Sequence, residues 1–133
     1  MALELSSLAK SIDALKRSVL AAHESQSLPS ANLRETVQAG VIQNFEVAYE
    51  QCWKYMQRFL RENRSPEEVD HPRTRKEPFR MAARSGLISD PLPWFEFSEA
   101  RNLTSHTYDA TQAAAVYETA RRFLPHSEAF LKR

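Results

Sequence analysis

At 133 residues the chain is long enough to bury one ordinary hydrophobic core and too short for two, so any function has to fit on one compact domain covering 1–133. Lys and Arg number 18 and Asp and Glu 17, a formal net charge of +1, which leaves no overall charge to draw nucleic acid from a distance and confines any polyanion site to a local patch. Two glycines in the whole chain argue against a P-loop, a Rossmann turn or a series of tight hairpins, all of which use glycine backbone freedom.

The first residues, Met1-Ala2-Leu3-Glu4-Leu5, carry no basic leader, and no apolar run approaches the roughly 18 residues of a membrane span, so a soluble, cytoplasmic protein is expected, with no membrane partner. Leu5, Leu8, Ile12, Leu15 and Val19 alternate by three and four and predict a helix over 3–24. Ser27, Pro29 and Ser30 mark a turn over 25–32. Beyond it, Leu33, Val37, Val41, Phe45, Ala48, Cys52, Met56 and Phe59 keep helical spacing and predict the longest helix. Gly40 inside that helix signals a bend, a close helix contact or simply a propensity cost of about 1 kcal/mol. Cys52, the single cysteine, sits in an apolar stretch with no partner for a disulfide or metal cluster and reads as a buried, inert thiol.

Residues 63–72 read as a loop, because Asp70-His71-Pro72 stops the helix start suggested by Ser65-Pro66. A third, shorter helix is expected over part of 74–85, its start complicated by Pro78 and its end set by Gly86, with Leu87 and Ile88 folding back as an apolar contact. Ser89 or Asp90 then caps a fourth helix, in which Pro91 suits the first turn and Trp94, Phe95 and Phe97 supply core bulk, running to about Ser105. Asp109 with Gln112 resembles a capping box for a final helix, whose apolar stripe is Ala113, Val116, Tyr117, Ala120, Phe123 and Leu124 and which Pro125 is placed to kink. The sum is an all-α fold: an up-and-down antiparallel four-helix bundle with an additional short helix.

Chemically capable side chains crowd together in one segment, Arg101-Asn102-Leu103-Thr104-Ser105-His106-Thr107-Tyr108-Asp109. On a continuous helix of about 100° per residue, Arg101, Ser105 and Tyr108 share a face and His106 points about 140° from Arg101. A break near Thr107, which the cap at Asp109 predicts, frees His106 to turn towards Arg101; alternatively a second subunit of a symmetric dimer supplies the missing group. An Arg with a His suits RNA cleavage without a metal: the His takes the proton of a ribose 2′-hydroxyl, and the guanidinium binds the phosphate and stabilises its transition-state charge. The same two residues near a helix C-terminus also serve the helix dipole and its open carbonyls.

Arg101 to Tyr108 spells R-N-x-x-x-H-x-Y, which resembles the R-x4-H-x-Y signature of the HepT branch of HEPN proteins and its relatives, the nucleotidyltransferase substrate-binding proteins. The stretch from Gly40 to Glu46 followed by Trp53-Lys54, and that from Phe79 to Ile88 followed by Trp94, resemble the same family in order and spacing, so the similarity covers nearly the whole chain. Pro78 departs from it, standing where relatives tend to have leucine. The resemblance implies a HEPN-like bundle that dimerises, with Arg101 and His106 as ribonuclease residues acting on RNA. It implies as partner a cognate minimal nucleotidyltransferase that neutralises the toxin by adding AMP to Tyr108. Ser105 and Asn102 are assigned to substrate; Asn102 orients Arg101 or contacts phosphate, or else caps the local backbone. No cofactor and no metal are called for. The rival from another class is a non-catalytic subunit that presents a substrate to the nucleotidyltransferase, and a third possibility is a helical scaffold with no ligand.

Other features read as structural. Between Arg58 and Arg84 eight basic residues face five acidic ones, which suits a solvated helix face with a charged loop better than an RNA guide. Trp53, Tyr55, Phe59, Trp94, Phe95 and Phe97 have helical spacing and belong to the core rather than to base-stacking platforms. His23, His71 and His126 stand singly, without metal-ligand spacing. Glu46 and Glu50, four apart, continue in row to Lys54 and read as a surface ion-pair ladder, with Glu46 also able to face the partner.

Overall fold

A computed structural model describes residues 5–27, 29–63, 76–106 and 109–132, with 63, 76, 77 and 106 described by backbone alone. The secondary structure of these residues is helical: α1 (Ser6–Ser25), α2 (Ala31–Asn63), α3 (Lys76–Arg84), α4 (Leu92–Asn102), a 3₁₀ turn at Thr104–His106, and α5 (Ala110–Leu131). Helices α1, α2, α4 and α5 make the expected up-and-down bundle, and α3 is the additional short helix, laid against α2 and α4.

Most of each stripe read from the sequence buries, whereas Leu5 and Leu33, at the starts of the first two stripes, are exposed. Leu8, Ile12 and Leu15 of α1 meet Val41, Phe45, Tyr49, Cys52 and Met56 of α2, and Val116, Ala120 and Phe123 of α5 close the other side. Trp94 and Phe97 of α4 and Phe79 of α3 are buried among them, while Trp53, Phe59 and Phe95 pack partly buried against this core. Phe123 is the hub: its ring meets Phe97 at 5.1 Å, Phe45 at 5.2 Å and Trp94 at 5.6 Å, each near-perpendicular. Edge-to-face pairs of this kind add about 0.5–1.5 kcal/mol each beyond the area they bury. Cys52 is fully buried, and burial pushes its thiol far above the ordinary range, so it is inert.

Helix ends follow local chemistry. Ser30 caps α2, its hydroxyl oxygen accepting from the Leu33 amide at 3.3 Å. Pro78 falls in the first turn of α3, where an amide has no intrahelical partner, and therefore does not obstruct the helix start. The end of α3 is a Schellman motif: Gly86 takes φ 78°, its amide donates to the Ala83 carbonyl at 3.1 Å, and the Leu87 amide donates to the Ala82 carbonyl at 2.9 Å. Leu87 and Ile88 are buried, the apolar fold-back expected after Gly86. Asp90 accepts from the Leu92 amide at 3.0 Å at the start of α4, and Asp109 accepts from the Thr111 and Gln112 amides at the start of α5. Helix α5 continues past Pro125 to Leu131.

Two expectations change, and a third is largely untouched. Helix α4 stops at Asn102 rather than near Ser105, and the chain goes on as the 3₁₀ turn. Gly40 is not a close-contact position, since an added Cβ meets no heavy atom within 4 Å. The loop expected over 63–72 lies outside the described residues apart from Asn63, which ends α2. In the basic stretch, Arg58, Arg61, Arg80 and Arg84 are exposed, with Arg58 over the Tyr55 ring and Arg80 over the Phe95 ring, as a solvated face would have them; Arg64, Arg73 and Arg75 lie outside the described residues. Among the described residues no helix is long and apolar enough to cross a membrane.

Phe123→Ala is expected to cost about 3–5 kcal/mol, the usual loss for a buried Phe, and to lower the melting temperature by more than about 10 °C. Thermal unfolding followed by circular dichroism measures it.

Candidate functional site

The end of α4 is set by a contest for its last carbonyls. The Leu103 amide turns back to the Ala100 carbonyl at 3.0 Å, and the Thr104 hydroxyl donates to the Arg101 carbonyl at 2.8 Å, so the α-helix gives way to the 3₁₀ turn. The break thus begins four residues before Thr107, where it was expected. Arg101 stands in the last turn of α4 and His106 at the far end of the 3₁₀ turn. The side chain of His106 lies outside the described residues, as do Thr107 and Tyr108. Asn102 and Ser105 are both exposed.

Arg101 does not fold onto the carbonyls at its own helix end. Its Nε–H donates to Oε1 of Glu50 at 3.0 Å, and its Nη2 lies 3.6 Å from Oε1 of Glu46. Both carboxylates come from α2, one turn apart, so the expected surface ladder of Glu46 and Glu50 with Lys54 is instead a clamp on a guanidinium that lies 51 residues beyond Glu50. The physical reason is packing: α4 crosses α2 with Phe97 and Trp94 buried, which brings the polar residue one turn beyond Phe97 over the row that begins at Glu46. All three side chains keep about a third of their surface in water, 30% for Arg101, 33% for Glu46 and 27% for Glu50. Pairs this exposed add on the order of 1 kcal/mol or less to stability. Their main effect is to fix where the guanidinium lies.

Beside the clamp, a groove of about 570 Å³ runs between α2 and the start of α5. Glu35, Gln38, Gln43 and Glu46 form its polar wall, Ala110, Ala113 and Ala114 the opposite one, and Thr104 reaches it from the 3₁₀ turn. That volume is within the range of small-molecule sites, and Glu46 belongs to both the groove and the clamp. Among the described residues no three His, Cys, Asp or Glu side chains gather as a metal-ligand group.

Fold and site together define a small all-helical bundle protein in which a cluster of Arg101, Glu46 and Glu50, at a helix break, opens beside a groove. The sequence model of the family described as "Nucleotidyltransferase substrate binding protein like" matches residues 3–133, and the chain belongs to that family. It is 38% identical over 101 residues to a protein of Haemophilus influenzae called "Probable ribonuclease HepT", covering 76% of this chain and 69% of that one. Its fold matches the solved structure of HI0074 from Haemophilus influenzae, described as a substrate-binding domain of a nucleotidyltransferase, with TM-score 0.86, 32% identity and 97% of each chain covered.

Of the residues singled out in the sequence, the structure places Arg101 in a defined polar contact. Glu46 and Glu50 were seen in the sequence and given the wrong partner. Their i,i+4 spacing was the available signal, and it fits a ladder along one helix as well as a clamp on another.

Proposed function

We propose that this chain is the HEPN-type toxin of a pair with a minimal nucleotidyltransferase, and that it is a metal-independent endoribonuclease. The observation that carries this is Arg101 held by side chains of α2 at the break that leads to His106, in a chain similar to a probable ribonuclease. In the proposed reaction His106 takes the proton of a ribose 2′-hydroxyl. The 2′-oxygen then forms a bond to the adjacent phosphorus, the bond from phosphorus to the 5′-oxygen breaks, and that oxygen gains a proton. Arg101 neutralises the charge that builds on the phosphate oxygens, while Asn102 and Ser105, both exposed at the same helix end, contact the RNA backbone. A homodimer sets two such helix ends round one cleft.

Regulation would act on Tyr108, two positions past His106 and next to the cap residue Asp109. Its hydroxyl oxygen attacks the α-phosphorus of ATP held by the partner, loses its proton and releases pyrophosphate. The AMP left behind puts a negative phosphodiester near Arg101 and repels RNA. A second reading is favoured by the substrate-binding description given to the family and to HI0074. In it the same groove presents a substrate to the nucleotidyltransferase and cuts nothing.

RNA cleavage is expected to continue in EDTA and to leave a 2′,3′-cyclic phosphate on the upstream product. His106→Ala should lose roughly 10²- to 10⁴-fold in rate, and Arg101→Ala at least as much, with both variants folded by circular dichroism. A wild type that is inert on tRNA and mRNA gives the lead to the substrate-binding subunit. With the partner, ATP and magnesium, intact mass is expected to rise by AMP units and not to rise for Tyr108→Phe; equal modification of that variant removes Tyr108 from the scheme. Light scattering of the isolated chain at micromolar concentration should report a dimer, and a strict monomer counts against the shared cleft.

A further inference from the structure

We propose that the two carboxylates on Arg101 have opposite roles: Glu50 aims the guanidinium, and Glu46 occupies the place of a phosphate and has to leave before RNA binds. The proposal rests on Arg101 being the phosphate-binding group of the function proposed above.

The geometry of arginine makes the two contacts unequal. A guanidinium offers five N–H donors in a fixed planar fork. A two-pronged contact to a phosphate uses either the Nε and Nη2 edge or the Nη1 and Nη2 edge, so Nη2 takes part in both. Glu50 engages Nε at 3.0 Å, a full hydrogen bond, which closes the first edge and leaves the second as the one to offer. Glu46 stands 3.6 Å from Nη2, beyond hydrogen-bond length, on the atom that the phosphate needs. It is therefore the weaker holder, and it stands at the one nitrogen common to both edges.

Charge and space agree with that division. Among the described side chains Arg101 carries two carboxylates, so an arriving phosphate would be a third anion on that guanidinium. Relief requires one carboxylate to go. Glu50 is the closer bound, whereas Glu46 also lines the 570 Å³ groove and has open volume beside it to swing into. Glu50 is a positioning residue, then, and Glu46 a built-in mask.

The test uses the full chain without its partner and a short fluorescent RNA whose 2′-hydroxyls are replaced by fluorine, so that it binds without being cut through that oxygen. Anisotropy reads the affinity of the parent, Glu46→Gln, Glu50→Ala and Glu50→Gln, each with its melting temperature. Glu46→Gln is expected to bind about three- to fivefold tighter, the worth of one partly exposed charge contact. Glu50→Ala should bind more weakly, although it too removes a negative charge, and Glu50→Gln should recover the loss because its amide oxygen still accepts from Nε–H. If Glu50→Ala fails to fold, Glu46→Gln and Glu50→Gln decide, the first tighter than the parent and the second gaining less than the first. Tightening by Glu50→Ala as large as by Glu46→Gln overturns the division, as does unchanged or weaker binding by Glu46→Gln. If the parent binds too weakly to measure, Glu46→Gln has to bind measurably, and a variant as blank as the parent overturns the mask. Binding of the fluorinated RNA with no cleavage of its natural counterpart removes the ribonuclease and leaves this assignment standing.

Discussion

Phe123 sits where α2, α4 and α5 meet, and its near-perpendicular contacts with Phe45, Trp94 and Phe97 fix how those helices are rotated about their own axes. Aliphatic packing tolerates some rotation; edge-to-face aromatic pairs tolerate less, because the ring quadrupoles favour particular geometries. The polar cluster depends on that rotation. Glu46 follows Phe45 and Glu50 follows Tyr49 on α2, and Arg101 lies one turn beyond Phe97 on α4. Each member of the clamp is thus a near neighbour of a buried aromatic ring. Packing that sets the rings in register sets the charges in register as well.

The helices were legible because their signals are local. Apolar residues at helical spacing gave α1, α2 and α5, and Gly86 and Asp109 marked a stop and a start through backbone requirements of single residues. The end of α4 was harder to read. The Thr104 hydroxyl competes for a backbone carbonyl, and hydroxyl residues offer both a helical and a non-helical way to satisfy that group. Arg101 was legible as part of a motif, but its partners were not. Helical periodicity says which residues share a face and nothing about which face of another helix will lie opposite, 51 residues away.

Nearly balanced overall charge hides an uneven local distribution. Arg58, Arg61, Arg80 and Arg84 are spread over exposed parts of α2 and α3, while at the helix break the Arg101 guanidinium is held by two carboxylates. For a protein proposed to meet RNA there, electrostatic attraction at long range is weak, and affinity has to come from short-range rearrangement. Partial exposure of the cluster makes that rearrangement inexpensive, since neither carboxylate has to be pulled from a dry interior.

The clamp joins the first half of the chain to the last third, and this has a consequence for the order of events in synthesis. Glu46 and Glu50 are made, and α2 has emerged, well before Arg101 exists. Phe123, whose ring bridges Phe45 of α2 and Phe97 of α4, follows later still on α5. In synthesis the two carboxylates therefore precede the arginine they hold, and the ring that bridges their helices comes last.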